Sequence, residues 1–377
     1  MRSSTGPRVL YVTRKFPPSV GGMETAAEEL YRSLKNETTV DLVAYGGPNK
    51  RLPLAYPALF ARAVISALKN PPDVIYLQDG LLSPFAAPLK AVTSSPVVAT
   101  IHGLDLTYQN RLFQRTVVPT MRSIDQFVAN SSNTSQIISS HFPSTKVDVV
   151  HYGVSDTFYK DIDQVSLRTH FPTLVNAELP DLAQRPILAT TGRLVRRKGV
   201  EWFVSNVMPE LRNSFPDIIY IVPGSGPMRE EIEEAIKKQN LKDNVFLLGR
   251  VSDEARDILY NISNLFVMPN IKVEGDVEGF GLVATEASSC GTPVIGSDIE
   301  GISDAIQDGR TGFKLPSAHA QRWIEVVTHE LKSPSLRRQE VRNDTLKLFS
   351  WNACARHYLD LFRVAVHRQT QHAEYRG

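Results

Sequence analysis

Glu278 and Glu286 stand eight residues apart in the segment EGDVEGFGLVATEASSCGTPV (274–294), with Gly279 and Gly281 between them. The glycines free the backbone where a helix should begin near Gly281, so the N–H groups of Phe280, Gly281 and Leu282 can face an anion. Glu278 would precede that helix and Glu286 would lie more than one turn into it. Carboxylates are strong acceptors for sugar and ribose hydroxyls, and two so placed can grip different parts of one elongated ligand. Ala284, Thr285, Ala287 and Ser288 around Glu286 suggest close packing rather than a solvated helix face.

A cationic counterpart lies upstream in GRLVRRKG (192–199), where Arg193, Arg196, Arg197 and Lys198 crowd the expected start of a helix near Val200. Positive charge opposes the helix dipole there unless an anion is present. Arg193 and Lys198, each beside a glycine, are best placed to hold a diphosphate, whereas Arg196 and Arg197 could be a solvated cluster. PGSGPM (223–228), with Gly224 and Gly226, and Arg250-Val251 after Gly249 could receive a base and ribose, although either alone would pass for a turn. Gly21 and Gly22 in SVGGMET (19–25) could bring the backbone close to a ligand, but a tight turn explains them as well, and they fail the G-x-G-x-x-G test for a dinucleotide site. His102 in IHGLD (101–105) follows an apolar run. It could bond a ligand, or it could be a satisfied structural histidine.

These junctions require parallel sheets to position them. VLYVT (9–13), VDLVAY (40–45), DVIYLQ (73–78), PVVATI (96–101), QFVAN (126–130) and VDVVHY (147–152) form a first series of buried strands; ILATT (187–191), IIYIV (218–222), VFLLG (245–249), LFVMP (265–269) and PVIGS (293–297) form a second. Helical patterns such as MREEIEEAIKKQ (228–239) lie between them. The fold class is therefore α/β, with two Rossmann-like doubly wound domains and ligands expected outside the carboxyl ends of the strands. The first domain is set at 1–165 and the second at 166–350, with the polar, proline-bearing stretch 160–185 as connection. SWNACARHYLDLFRVAV, in the tail 351–377 and just before it, predicts an amphipathic helix crossing back to the first domain.

Composition narrows the partners. The chain has 377 residues, 42% of them hydrophobic, and a net charge of +2; residues 1–170 hold 17 Lys+Arg against 13 Asp+Glu. That asymmetry is compatible with a first domain facing anionic lipid, though a solvated surface explains it too, and no nucleic acid is expected as partner. Cys290 and Cys354 suggest neither a disulfide framework nor a thiolate site. Met1 to Pro7 lacks the apolar stretch of an export signal and no run spans a membrane, so the expected location is cytoplasmic, possible contact being peripheral. LPLAYPALFARAVISALKN (52–70) could line an acceptor site or touch a membrane; an ordinary packed helix is the alternative. No His, Cys, Asp or Glu constellation suggests a metal, so cations and a helix start must neutralise any leaving diphosphate.

Taken together, Gly21-Gly22-Met23, IHG, G-R-x4-K-G at 192–199 and E-x7-E at 278–286 resemble, in the same order and over nearly the whole chain, the family-4 glycosyltransferases of the GT-B fold. TRKFPPSVGGMET and MPNIKVEGDVEGFGLV look like the bacterial mannosyltransferases acting on phosphatidylinositol mannosides and related lipid- or polysaccharide-directed enzymes. The resemblance implies two domains facing across a cleft and hexose transfer from a UDP- or GDP-sugar to a glycan, glycolipid or small-molecule hydroxyl. It further implies retention at the anomeric carbon and no cofactor or metal. It places Gly22 by the diphosphate, His102 near the donor sugar, Arg193 and Lys198 on the phosphates, Glu278 on the hexose, Glu286 on the ribose, and the amides of Phe280, Gly281 and Leu282 on the sugar and distal phosphate. Two departures stand out. HYGVSDTF replaces a Pro-Asn-Gly-Val-Asp pattern, and EGISDAI (300–306) replaces Gly-Gly-x-x-Glu, which puts His151 and Asp304 in doubt as site residues. A nucleotide-sugar epimerase or hydrolase should lack the ordered motif pair, and a non-catalytic binding protein should have lost His102, Lys198 or Glu278.

Overall fold

The computed structural model describes residues 6–374; residues 1–5 and 375–377, and with them most of the Met1–Pro7 stretch, lie outside the described residues. The chain divides into two compact units, residues 1–153 with 349–377 and residues 154–348. The division falls at Gly153–Val154, twelve residues before the expected boundary.

In unit 1, β1 (Val9–Thr13), β2 (Val40–Ala44), β3 (Val74–Leu77), β4 (Val97–Ile101), β5 (Gln126–Ala129) and β6 (Val147–Val149) form a parallel sheet in the order β2-β1-β3-β4-β5-β6. β1, β3, β4 and β5 are buried throughout, as continuous apolar strands covered on both faces must be. The Trp351–Glu374 helix belongs to this unit: Tyr358 shares a 2.8 Å hydrogen bond with Thr100, and the helix packs on the Gly22–Glu37 helix. Gly153 is held to glycine by that helix, since a Cβ would come 2.5 Å from Trp351.

In unit 2, β7 (Ile187–Ala189), β8 (Ile219–Pro223), β9 (Val245–Gly249), β10 (Leu265–Met268), β11 (Val294–Ser297) and β12 (Gly312–Leu315) form a parallel sheet in the order β12-β11-β10-β7-β8-β9. Its direction of winding reverses between β7 and β10. The expected connection at 160–185 is part of this unit. Asp163 caps the Gln164–Val175 helix by accepting from the Ser166 N–H, and Arg168 from that helix donates to Ile262 O and Asn264 Oδ1. Asn264 also accepts from the Ile187 N–H at the start of β7.

Candidate active site

At a topological switch point the loops leaving two neighbouring strands diverge to opposite faces and leave a crevice at the sheet's carboxyl edge. In unit 2 that point lies between β7 and β10, whose loops carry GRLVRRKG and the residues from Pro269 onward. The two loops are pressed together. The Ile271 N–H donates to Arg197 O at 2.9 Å, and a Cβ on Gly199, whose φ is +64°, would stand 1.8 Å from Pro269 O. Only glycine fits both the left-handed backbone and that approach.

The contact brings the cations of one loop onto the carboxylate of the other. Lys198 Nζ lies 2.6 Å from Glu278 Oε2, with the side chains 11% and 13% exposed. Arg197 Nη2 stands 3.7 Å from the same oxygen, and Arg197 Nε 3.4 Å from Asp276 Oδ1. Asn270 Nδ2 donates to Glu278 Oε2 at 3.3 Å. Burial pushes the Glu278 carboxyl up, but the charges of Lys198 and Arg197 outweigh it and hold the group below its ordinary value.

For Arg197 the solvated alternative left open above does not hold: it is only 8% exposed, and its Nε and Nη1 have no hydrogen-bond partner among the described residues. A buried guanidinium with unsatisfied donors is costly unless something accepts from it. Arg193 and Arg196 are the exposed members of the cluster.

The Leu282–Ser289 helix begins behind Gly281, whose φ is +85° and which offers no side chain to cover the first N–H groups. The Val200–Asn206 helix starts behind Gly199 in the same way. By contrast, Ser252 closes the Asp253–Ile262 helix with its hydroxyl. The glycine starts leave donors and the positive dipole end available at the switch point. Phe280 is buried, which anchors the segment.

Glu286 accepts from the Tyr260 hydroxyl at 2.7 Å, and that hydroxyl lies 3.0 Å from Thr191 Oγ1, at the mouth of the β7 loop. Burial raises the Glu286 carboxyl above its ordinary value, against the lowering effects of Tyr260 and Arg256. Gly224 and Gly226 have a packing role: Cβ atoms there would stand 1.9 Å from Gly192 O and 2.2 Å from Leu194 O. Arg250, exposed, and Val251 follow the edge strand β9, two strands from β7. Asp304 lies in the short Ile302–Ala305 helix.

Unit 1 has its own switch point, between β1 and β3. Arg14 Nε after β1 lies 2.9 Å from the buried Asp79 after β3, and Lys15 pairs with Glu24 at 2.9 Å. Glu24 follows Gly21 and Gly22, and a Cβ on Gly21 would meet its carboxylate at 2.5 Å. His102 Nε2 faces Gln78 O at 2.8 Å and Nδ1 the Tyr152 hydroxyl at 2.8 Å. A carbonyl only accepts, so Nε2 carries the proton and Nδ1 accepts from Tyr152. Both ring nitrogens are thus hydrogen-bonded inside the unit. His151 packs near Phe349, ring centroids 6.2 Å apart. Sequence reading gave no site role to Arg14, Asp79, Asn270, Asp276 and Tyr260; Arg14 lies within TRKFPPSVGGMET and Asn270 and Asp276 within MPNIKVEGDVEGFGLV, but which side chains they meet depends on strand order.

A family model described as Glycosyl transferases group 1 matches residues 177–345, and one described as Glycosyltransferase Family 4 matches residues 20–158. The chain is 25% identical over 267 residues to an alpha-D-kanosaminyltransferase of Streptomyces kanamyceticus, covering 68% of this chain and 66% of that one. It is 25% identical over 357 residues to the GDP-mannose-dependent alpha-(1-6)-phosphatidylinositol monomannoside mannosyltransferase of Mycolicibacterium smegmatis, covering 86% and 90%. The crystal structure of Anabaena Alr3699/HepE in complex with UDP and glucose superposes with a TM-score of 0.72 at 17% identity, over 95% of this chain and all of that one.

Proposed function

Because this chain belongs to the glycosyltransferases of the GT-B fold, we propose that it moves a hexose from a UDP- or GDP-sugar to a hydroxyl of a glycan, glycolipid or small-molecule acceptor, with retention and without a divalent metal. The observation that carries the reading is the buried Arg197 guanidinium with unused donors beside the Lys198–Glu278 pair and the glycine-started helix. An ammonium has three donors. Lys198 gives one to Glu278 and keeps two for a diphosphate oxygen, to which Arg197 adds its own. The first amides of the Leu282–Ser289 helix meet the distal phosphate, Glu278 accepts from the hexose hydroxyls and Glu286 from the ribose.

In the reaction the acceptor oxygen bonds the anomeric carbon on the face from which the phosphate departs. The bond from that carbon to the phosphate oxygen breaks, and the acceptor proton passes to the leaving phosphate. Lys198, Arg197 and the helix start supply the charge stabilisation that a metal gives elsewhere.

Unit 1 is assigned the acceptor, at the cytoplasmic face of a membrane. The Leu52–Lys69 helix packs through Leu59, Ala63 and Ala67 and turns Leu54, Ile65 and Leu68 outward at 85%, 52% and 60% exposure. Arg51, Arg62 and Lys69 flank that stripe, and no Asp or Glu occurs between Asp41 and Asp73. An apolar stripe ringed by cations fits an anionic lipid surface.

The test is turnover with UDP-glucose, GDP-mannose and ADP-glucose, with and without EDTA, followed by the anomeric configuration of the product. Nucleotide release that EDTA leaves intact, with a retained anomer, is expected. Inversion, or loss of turnover in EDTA, would overturn the corresponding part of the mechanism.

A further inference from the structure

Glu300 stands where the resemblance leads one to expect the first of two glycines, and its backbone keeps the glycine-like conformation, with φ at +51°. An L side chain with a Cβ and a long stem adopts that region only when its surroundings hold it there. What holds it is Glu278. The Glu278 N–H donates to Glu300 Oε2 at 2.6 Å, and the Gly301 N–H donates to Glu278 O at 3.1 Å. Both main-chain groups of residue 278 are thus closed by residues 300 and 301. Gly301 is pressed against the same segment, for a Cβ there would lie 2.1 Å from Gly279 O. The Glu278 side chain is meanwhile held by Lys198, Arg197 and Asn270.

We propose that Glu300 is a positioning residue for donor binding: its carboxylate clamps the Glu278 amide, fixing the Gly279–Gly281 segment so that the Glu278 carboxylate and the following helix start are set before the nucleotide-sugar arrives. The inference rests on the transferase reading. A charged acceptor on a backbone N–H makes a short, strong hydrogen bond, and a fixed segment loses less freedom when the donor binds. The groups facing Glu300 are Glu278 and Asp276, which disfavour its charge, and Arg197, which favours it; burial is the largest influence and the net effect is a raised carboxyl.

Glu300→Gly removes the clamp and suits the left-handed backbone, so a purely structural role predicts no functional loss beyond any change in thermal midpoint. The clamp predicts a midpoint that does not fall, faster amide exchange across residues 276–282, and kcat/KM for the donor lowered at least about tenfold with acceptor KM unchanged. Glu300→Gln, which keeps an acceptor oxygen, should restore most of both and lose any acid-side inflection of kcat/KM due to Glu300. Wild-type exchange together with wild-type donor kinetics in Glu300→Gly would overturn the proposal, as would a loss of activity matched by a fall in midpoint. Faster exchange in Glu300→Gly, with no nucleotide-sugar turned over by the wild-type protein, would overturn the donor-binding role and the transferase reading together while leaving the clamp geometry standing.

Discussion

Replacing Lys198 by Met keeps the aliphatic stem and removes the charge from Glu278. Breaking a buried ion pair by deleting one partner costs roughly 3–5 kcal/mol. Here Arg197 at 3.7 Å and Asn270 at 3.3 Å still serve the same carboxylate oxygen, which places the loss at the lower end, about 3 kcal/mol. For a body the size of unit 2, 1 kcal/mol moves the midpoint by roughly 2–4 °C, so a fall of about 6–12 °C is expected in calorimetry near pH 7. The pH dependence has a definite sign. The Glu278 carboxyl lies below its ordinary value in the folded protein, so its stabilisation is present above the unfolded value and fades as pH falls through the folded one. The gap between wild type and Lys198→Met should therefore narrow under acid. Adding Glu278→Gln to Lys198→Met should give a loss smaller than the sum of the single losses by about 2 kcal/mol. Strict additivity, or a gap that does not change with pH, would refute the reasoning.

Glu286→Gln keeps an acceptor for Tyr260 but removes a half-buried charge that desolvation disfavours. Its folded carboxyl is raised, so wild type loses stability as pH climbs from the unfolded to the folded value, and the variant should melt higher at neutral pH while binding the nucleotide more weakly. A lower midpoint would contradict this. Leu54→Glu with Ile65→Glu should abolish co-sedimentation with vesicles containing phosphatidylglycerol while leaving turnover of a soluble acceptor intact; wild type that ignores such vesicles would end the membrane assignment.

Much of the architecture is legible because parallel strands buried on both faces leave uninterrupted apolar runs, and every run identified above contains a strand. Gly312–Leu315 was missed: its four residues at the sheet edge include Lys314, and two of them, Phe313 and Lys314, are only half-buried. The stretch 160–185 reads as a connection because it is polar, bears prolines and shows no strand, yet the Gln164–Val175 helix accommodates Pro172 and Arg168 ties that helix into unit 2. At the site, glycines and clustered charge at strand ends marked the segments well. Which charge is buried was not legible, since Arg197 and Arg193 differ only through the pairing of β7 with β10, strands some 75 residues apart. Likewise the departure from Gly-Gly-x-x-Glu marks position 300, but the hydrogen bond of Glu300 to the Glu278 N–H follows from how the two loops meet, which no local pattern records.

Calorimetric titration with UDP and with GDP, on wild type and on Arg197→Met, tests the central claim most directly. The account predicts that at least one of the two binds wild type and that the substitution weakens it about tenfold or more, as loss of charge-assisted hydrogen bonds to a phosphate should. Binding of neither nucleotide, or equal binding to both proteins, would contradict it.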